Sequence, residues 1–219
     1  SGYGAYSDPG CHDYFNDCNF DMSCMAAIVA GNSDMTFNDC TAECGSYFAL
    51  THCVNGWQEE VADITVTGGD IHTKKECVLV KSHNMMLDLC DVNISSDKGI
   101  LVHTIVNDDP CATKVTKDVF GVNVVMTDMD VKGDLIHEDT TREMWVMLNS
   151  TQLTGAIQHA NVAFDKGSKW VATADSDVVF VTDVEPAQID APAGVTITAK
   201  GAQAGEFALA GGGTLVVTA

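Results

Sequence analysis

The side chains of this sequence that can do chemistry are nine cysteines, seven histidines and a surplus of carboxylates. The cysteines, Cys11, Cys18, Cys24, Cys40, Cys44, Cys53, Cys77, Cys90 and Cys111, all fall near or before the middle of the chain. No two are spaced C-x-x-C, which removes the main signal for a zinc ribbon or a thioredoxin-like pair. In an acidic, lysine-poor chain, the chemistry left for so many thiols is disulfide bonding in an oxidising compartment. All nine are therefore disulfide candidates, and the odd number leaves at least one free or bonded to another chain. Eight paired cysteines allow about 105 connectivities, and the spacing does not choose among them.

The histidines (His12, His52, His72, His83, His103, His137 and His159) show neither H-x-H nor H-x-x-x-H spacing, the patterns that bring two imidazoles to one metal. His103 and His137 each follow an apolar pair, Leu101-Val102 and Leu135-Ile136, so the pattern places them in a stack on one half-exposed face. Asp128-Met-Asp130-Val-Lys132-Gly133, with Asp139 downstream, imitates half of a calcium loop, but Lys132 falls where an oxygen ligand is needed. The expectation is outward-facing carboxylates, with Asp128, Asp130 and Asp139 as a weak Ca²⁺ candidate and no other cofactor or metal. Asn107-Asp108-Asp109 is a fragment of the carboxylate pairing that glycosidases use. It has no partner motif, and Arg142 is followed by Glu143-Met144 where a polygalacturonase-like site would need a lysine. No catalytic residue is assigned, and the chain is expected not to be an enzyme.

Composition narrows the function further. The 219 residues carry 31 acidic and 11 basic side chains, a formal net charge of −20, and Arg142 is the sole arginine. Phosphate-backbone binding needs a basic footprint that this chain lacks, and anionic lipid surfaces are disfavoured for the same reason. No stretch approaches the roughly 18–20 uncharged apolar residues of a membrane span. The sequence opens on Ser1 without a basic-then-apolar leader and reads as a mature or trimmed product in an extracellular or cell-surface setting.

The elements that must position these residues are strands. Helical periodicity is short and uncapped, while β-rich runs recur between Gly, Asn and Asp. Four segments align: Ile64-Thr-Val-Thr-Gly-Gly-Asp-Ile71, Leu87-Asp-Leu-Cys-Asp-Val-Asn-Ile94, Val124-Val-Met-Thr-Asp-Met-Asp-Val131 and Val146-Met-Leu-Asn-Ser-Thr-Gln-Leu153. Each is an alternating strand, a polar pair and a second apolar pair, repeating at roughly 20–35 residues, the range of solenoid repeats. A polar pair between two strands is what a corner requires. A sandwich would show more Asn-Gly or Asp-Gly hairpins, and Asn55-Gly56 is the only one. The predicted fold is all-β, a right-handed parallel β-helix (β-solenoid) of residues 25–219, with a cysteine-rich N-terminal extension or cap over residues 1–24.

The second half supports this with a resemblance. Gly133-Asp-Leu-Ile136, Met147-Leu-Asn-Ser-Thr-Gln-Leu-Thr-Gly-Ala-Ile157 and Ala160-Asn-Val-Ala-Phe-Asp-Lys-Gly-Ser-Lys-Trp-Val-Ala-Thr-Ala-Asp-Ser176 resemble the C-terminal coils of adhesin-like right-handed β-helix proteins of bacterial surfaces. They are similar also to the stem coils of autotransporter passenger domains. The resemblance implies the fold and a non-enzymatic surface role; by itself a fold does not carry function.

Function is therefore expected at the ends and faces of the rod. Tyr3, Tyr6, Tyr14 and Phe15 at one end, and the apolar run Leu215, Val216 and Val217 at the other, are candidate assembly surfaces for head-to-tail self-association into a filament. Cell-surface glycans are the alternative partner. Trp57, Trp145 and Trp170 are the candidate sugar platforms; Trp170 falls in the shared motif and is expected to be packed, which leaves Trp57 as the more exposed candidate. A divergent polysaccharide-active enzyme is the third reading.

Overall fold

In the computed structural model the described residues are 2–53, 59–112, 120–139 and 141–219. The first coil consists of β1 (Tyr3–Ser7), β2 (His12–Asn16) and β3 (Asn19–Met22). The second holds β4 (Met25–Ala30), β5 (Asp34–Asn38) and β6 (Thr41–Cys44), and the third β7 (Ala49–His52), β8 (Val61–Thr67) and β9 (Asp70–Thr73). The fourth is β10 (Val78–Lys81), β11 (Asn84–Cys90) and β12 (Asn93–Ser96). The fifth is β13 (Ile100–Ile105), β14 (Val122–Thr127) and β15 (Asp130–Lys132). The sixth is β16 (Asp134–His137), β17 (Met144–Asn149) and β18 (Gln152–Thr154). The coils then shorten to β19 (Ile157–Phe164) with β20 (Lys169–Val171), and β21 (Ser176–Phe180) with β22 (Ile189–Asp190). The chain finishes with β23 (Thr196–Lys200), β24 (Gly205–Ala208) and β25 (Thr214–Thr218).

Each strand pairs in parallel with its counterpart one coil away, so the chain is a parallel β-solenoid with three faces. The first strands of the coils form face A: β1 pairs with β4, β4 with β7, β7 with β10, β10 with β13 and β13 with β16. The second strands form face B, from β2 through β5, β8, β11, β14 and β17. The third strands form face C, divided into β3-β6-β9-β12 and β15-β18-β20-β22.

Period-2 patterning explains why these residues stack as they do. On face B one inward column runs Met35, Ile64, Leu87, Val124, Val146 and Val162, all register partners and almost fully buried. Side chains alternate across a strand, so every second residue meets the same position of the coils beside it. The corner between faces B and C has an equally regular cause. Asp17, Asp39, Gly68, Asp91, Asp128 and Ser150 end successive face-B strands with φ between 48° and 65°. The left-handed region is open to Gly and tolerated by Asp, which is why the repeat carries a polar residue there. The backbone ladder continues through the bend, from the Asp17 N–H to the Asn38 carbonyl, Asp39 to Thr67, and Gly68 to Cys90.

The two ends differ. Coil one pairs only with coil two, and its interior is filled by Phe15 stacked on Phe37 (5.1 Å between centroids) with Phe20 edge-on at 5.3 Å. Within the segment expected as an N-terminal extension or cap, β1, β2 and β3 are paired in parallel with β4, β5 and β6. At the other end β25 pairs in parallel with β23 and antiparallel with β24. That hairpin covers one side of the C-terminal run Leu215–Val217 offered as an assembly surface. Leu215 and Val217 are buried, and Val216 faces Glu206 across the pair. The remaining free edge, β24, has four residues and a charge, a blunted edge.

Candidate functional site

The calcium candidate is taken apart by the fold. Asp128 is the left-handed corner residue, Asp130 is exposed on β15, and Asp139 is fully buried after β16. The Asp139 carboxylate faces the Arg142 Nε at 3.0 Å and accepts the Thr141 N–H, so it is committed to the protein. Among the described residues, no three His, Cys, Asp or Glu side chains gather as a metal ion would need.

No disulfide joins the cysteines among the described residues. Cys44 and Cys77 are buried, and burial pushes their thiols up to about 11 and about 12. Trp170 is buried as expected, its indole N–H donating to the Gly155 carbonyl at 2.8 Å. Trp57 lies outside the described residues. At the N-terminal end Tyr3, Tyr6 and Tyr14 are exposed, while Phe15 is half-buried against the core.

The histidines do not stack as expected. His103 pairs in register with Ile136, and it is Thr104 that meets His137, so one imidazole points out and the other in. His103 bridges Glu76 (3.3 Å) and Glu138 (3.2 Å) across coils, as His72 bridges Glu43 (2.9 Å) and Asp97 (3.1 Å). His137 bonds the Thr104 hydroxyl and the Arg142 carbonyl, and burial lowers its pKa.

The corner between faces A and B concentrates buried polar groups, among them residues from the described ends of three insertions (53, 59–60, 106–112, 120–121, 138–139 and 141–143). Asn84 reaches three of these segments. Its amide donates to the Glu60 carbonyl, and its oxygen accepts the Gly121 N–H and an Arg142 guanidinium N–H. Asn107 donates to the Cys53 carbonyl, and Lys81 meets Asp109 at 2.7 Å and Asp108 at 3.2 Å. Burial opposes the Lys81 charge, but hydrogen bonds to Asp109 and Asp108 hold its pKa above the ordinary value. Asn107-Asp108-Asp109 thus anchors a loop. At the centre His83 is fully buried, both ring nitrogens lack a hydrogen-bond partner among the described residues, and its pKa falls to about 3, by burial first and then by the charges of Arg142 and His52.

Beyond coil six the corner disappears, and this creates the most open functional geometry. β19 runs continuously from face A into face B: Leu135 pairs with Ile157, and Trp145 with Asn161 on the same strand. The bend that remains is His159, at φ 58°, where the register shifts by one residue. Arg142 and Glu143 border a cleft of about 390 Å³ on this sheet. Glu143, His159, Asn161, Asp177, Thr198 and Lys200 line it. His159 Nδ1 is held by the His137 carbonyl at 3.2 Å, and Nε2 lies 3.5 Å from Asp177. The Asn161 amide donates to Glu143 at 3.4 Å.

Beside the cleft, Trp145 points outward from β17 and is 39 % exposed. Its register partners on either side are Asn123 and Asn161, and the exposed Met147, Val179 and Val181 extend the same face. The arrangement joins a rigid aromatic platform to amides one strand away, with the Asp177 carboxylate and the Thr198 hydroxyl further along the same sheet. Of these residues the sequence offers only Trp145, as one of three candidate sugar platforms; the rest leave one trace, the shortening of the repeat after residue 157, which removes a corner. Compared with known proteins, the chain matches no family model, no curated protein and no solved structure.

Proposed function

We propose that this chain is a non-enzymatic extracellular surface solenoid of the adhesin-like kind, adhering through a neutral glycan held on face B beside Trp145. The observation that supports it is the exposed Trp145 ring on a rigid strand, flanked by Asn123 and Asn161 and bordered by the cleft of Glu143, His159 and Asp177. A flat ring buries the apolar face of a sugar, while amides, hydroxyls and carboxylates take its hydroxyl groups. The net charge of −20 disfavours polyuronates and leaves neutral glycans as the class. Titration calorimetry with neutral oligosaccharides, and with a polyuronate as the contrast, tests the reading. Binding that Trp145→Ala abolishes at unchanged Tm supports it. Indifference to Trp145→Ala, or release of new reducing ends, overturns it.

A second reading has its own observation. The N-terminal coil pairs on one side only and exposes Tyr3, Tyr6 and Tyr14, at 50 %, 41 % and 67 %. Two such ends docking would make a closed two-fold contact. Light scattering that reports a dimer, returning to monomer in Tyr14→Lys, is the expected result; a monomer throughout removes this reading.

A further inference from the structure

Of the nine cysteines, one pair shares a register position in adjacent coils. Asn16 pairs with Asn38 and Asn19 with Thr41, which sets Cys18 beside Cys40 at the same corner. The backbone bonds agree: the Asp17 N–H reaches the Asn38 carbonyl at 3.0 Å and the Thr41 N–H reaches the Cys18 carbonyl at 2.9 Å. The two thiols even share a side-chain geometry, each donating to the carbonyl two residues earlier, Asn16 and Asn38, at 3.4 Å. Adjacent parallel strands lie about 4.8 Å apart, inside the Cα separation of about 4.4–6.8 Å that a disulfide spans. Other cysteines do not match in this way. Cys44 pairs with Thr73, Cys90 with Thr67 and Thr127, and the Cys53 N–H with the Lys81 carbonyl.

We infer that Cys18 and Cys40 form an inter-coil disulfide that fastens the open N-terminal coil to the solenoid when the protein meets a disulfide oxidant such as oxidised glutathione. Cys18 is half-exposed and Cys40 is buried, which fixes the order of events. The Cys18 thiolate attacks one sulfur of the oxidant and expels a glutathione thiolate. The Cys40 thiolate then attacks the Cys18 sulfur of the mixed disulfide and expels the second glutathione. Two protein thiols are oxidised and one glutathione disulfide is reduced to two thiols, which take up the two protons released. Burial pushes the Cys40 thiol up, as does the neighbouring Cys18 thiol, which suits Cys40 to the second step, where the mixed disulfide is already at hand. The coil it fastens needs such a tie, since β1, β2 and β3 have neighbours on one side only.

The test treats the folded full chain with oxidised glutathione, blocks the remaining thiols and maps peptides without reduction. A single cross-link joining Cys18 to Cys40, absent in Cys18→Ser and in Cys40→Ser, is the expected result. Because Cys40→Ser alters a buried site, Cys18→Ser at the half-exposed position carries the decision if the former fails to fold. In the oxidised wild type, hydrogen exchange of β2 and β3 should slow by on the order of a hundredfold relative to Cys18→Ser, the loop-closure effect for a loop of this length. Cys18 bonded to another cysteine, or both thiols carrying separate glutathione adducts, overturns the inference.

Discussion

Replacing His83 with leucine should flatten the acid side of this protein's stability curve. His83 sits fully buried at the corner between faces A and B, with neither ring nitrogen hydrogen-bonded among the described residues and with Arg142 and His52 as its charged neighbours. Protonating it in the fold means placing a cation in that space, so its pKa drops from 6.5 to about 3. The unfolded chain takes up the proton near pH 6.5 and the folded chain does not, so stability falls as pH falls through that window. At roughly 1.4 kcal/mol per pH unit, the loss reaches about 3 kcal/mol by pH 4.5 and about 5 kcal/mol near pH 3. Above pH 6.5 both states are neutral and the contribution vanishes. Urea unfolding followed by circular dichroism at about pH 7.5 and pH 4.5 measures this directly. With a slope of about 2–3 kcal/mol per molar urea, the wild type should lose about 1 M more of its midpoint than His83→Leu over that interval. His52 and His137 also have pKa values lowered by burial, but they remain in both proteins, so the difference isolates His83. At pH 7.5 the variant should be no less stable, because leucine removes two unsatisfied buried nitrogens. Equal acid losses in the two proteins would refute the reasoning.

Other substitutions probe separate parts of the argument. Trp170→Ala removes the largest fully buried side chain and its bond to Gly155, and should cost about 3–5 kcal/mol in chemical denaturation. Asp139→Asn leaves the buried Arg142 guanidinium without its counter-charge and should cost roughly 3 kcal/mol, whereas Lys81→Ala, nearer the surface, should cost about 1 kcal/mol. Gly69→Ala meets two obstacles, a φ of +82° and a Cβ that would stand 2.0 Å from the Cys40 carbonyl oxygen. A loss of at least about 2 kcal/mol, read from the thermal midpoint, is expected there, and none at Gly10, whose Cβ would meet nothing within 4 Å, beyond its own backbone preference.

The sequence by itself determined the solenoid, because period-2 burial and a left-handed corner are local demands that each coil must meet with its own residues. Gly68, Asp91, Asp128 and Ser150 are legible as corners for that reason, and Trp170 as core. What only tertiary structure decided depends on which residues the stacking brings together from different coils. Cys18 meets Cys40 because both lie at the same corner of adjacent coils, and Asp139 is lost to calcium because Arg142 folds back onto it. Coil one belongs to the rod and β24 closes the far end, since strand pairing depends on edges that no single segment can specify. The cleft of Glu143, His159 and Asp177 arises where a corner is missing, at His159, and an absent turn leaves no residue pattern by which to recognise it.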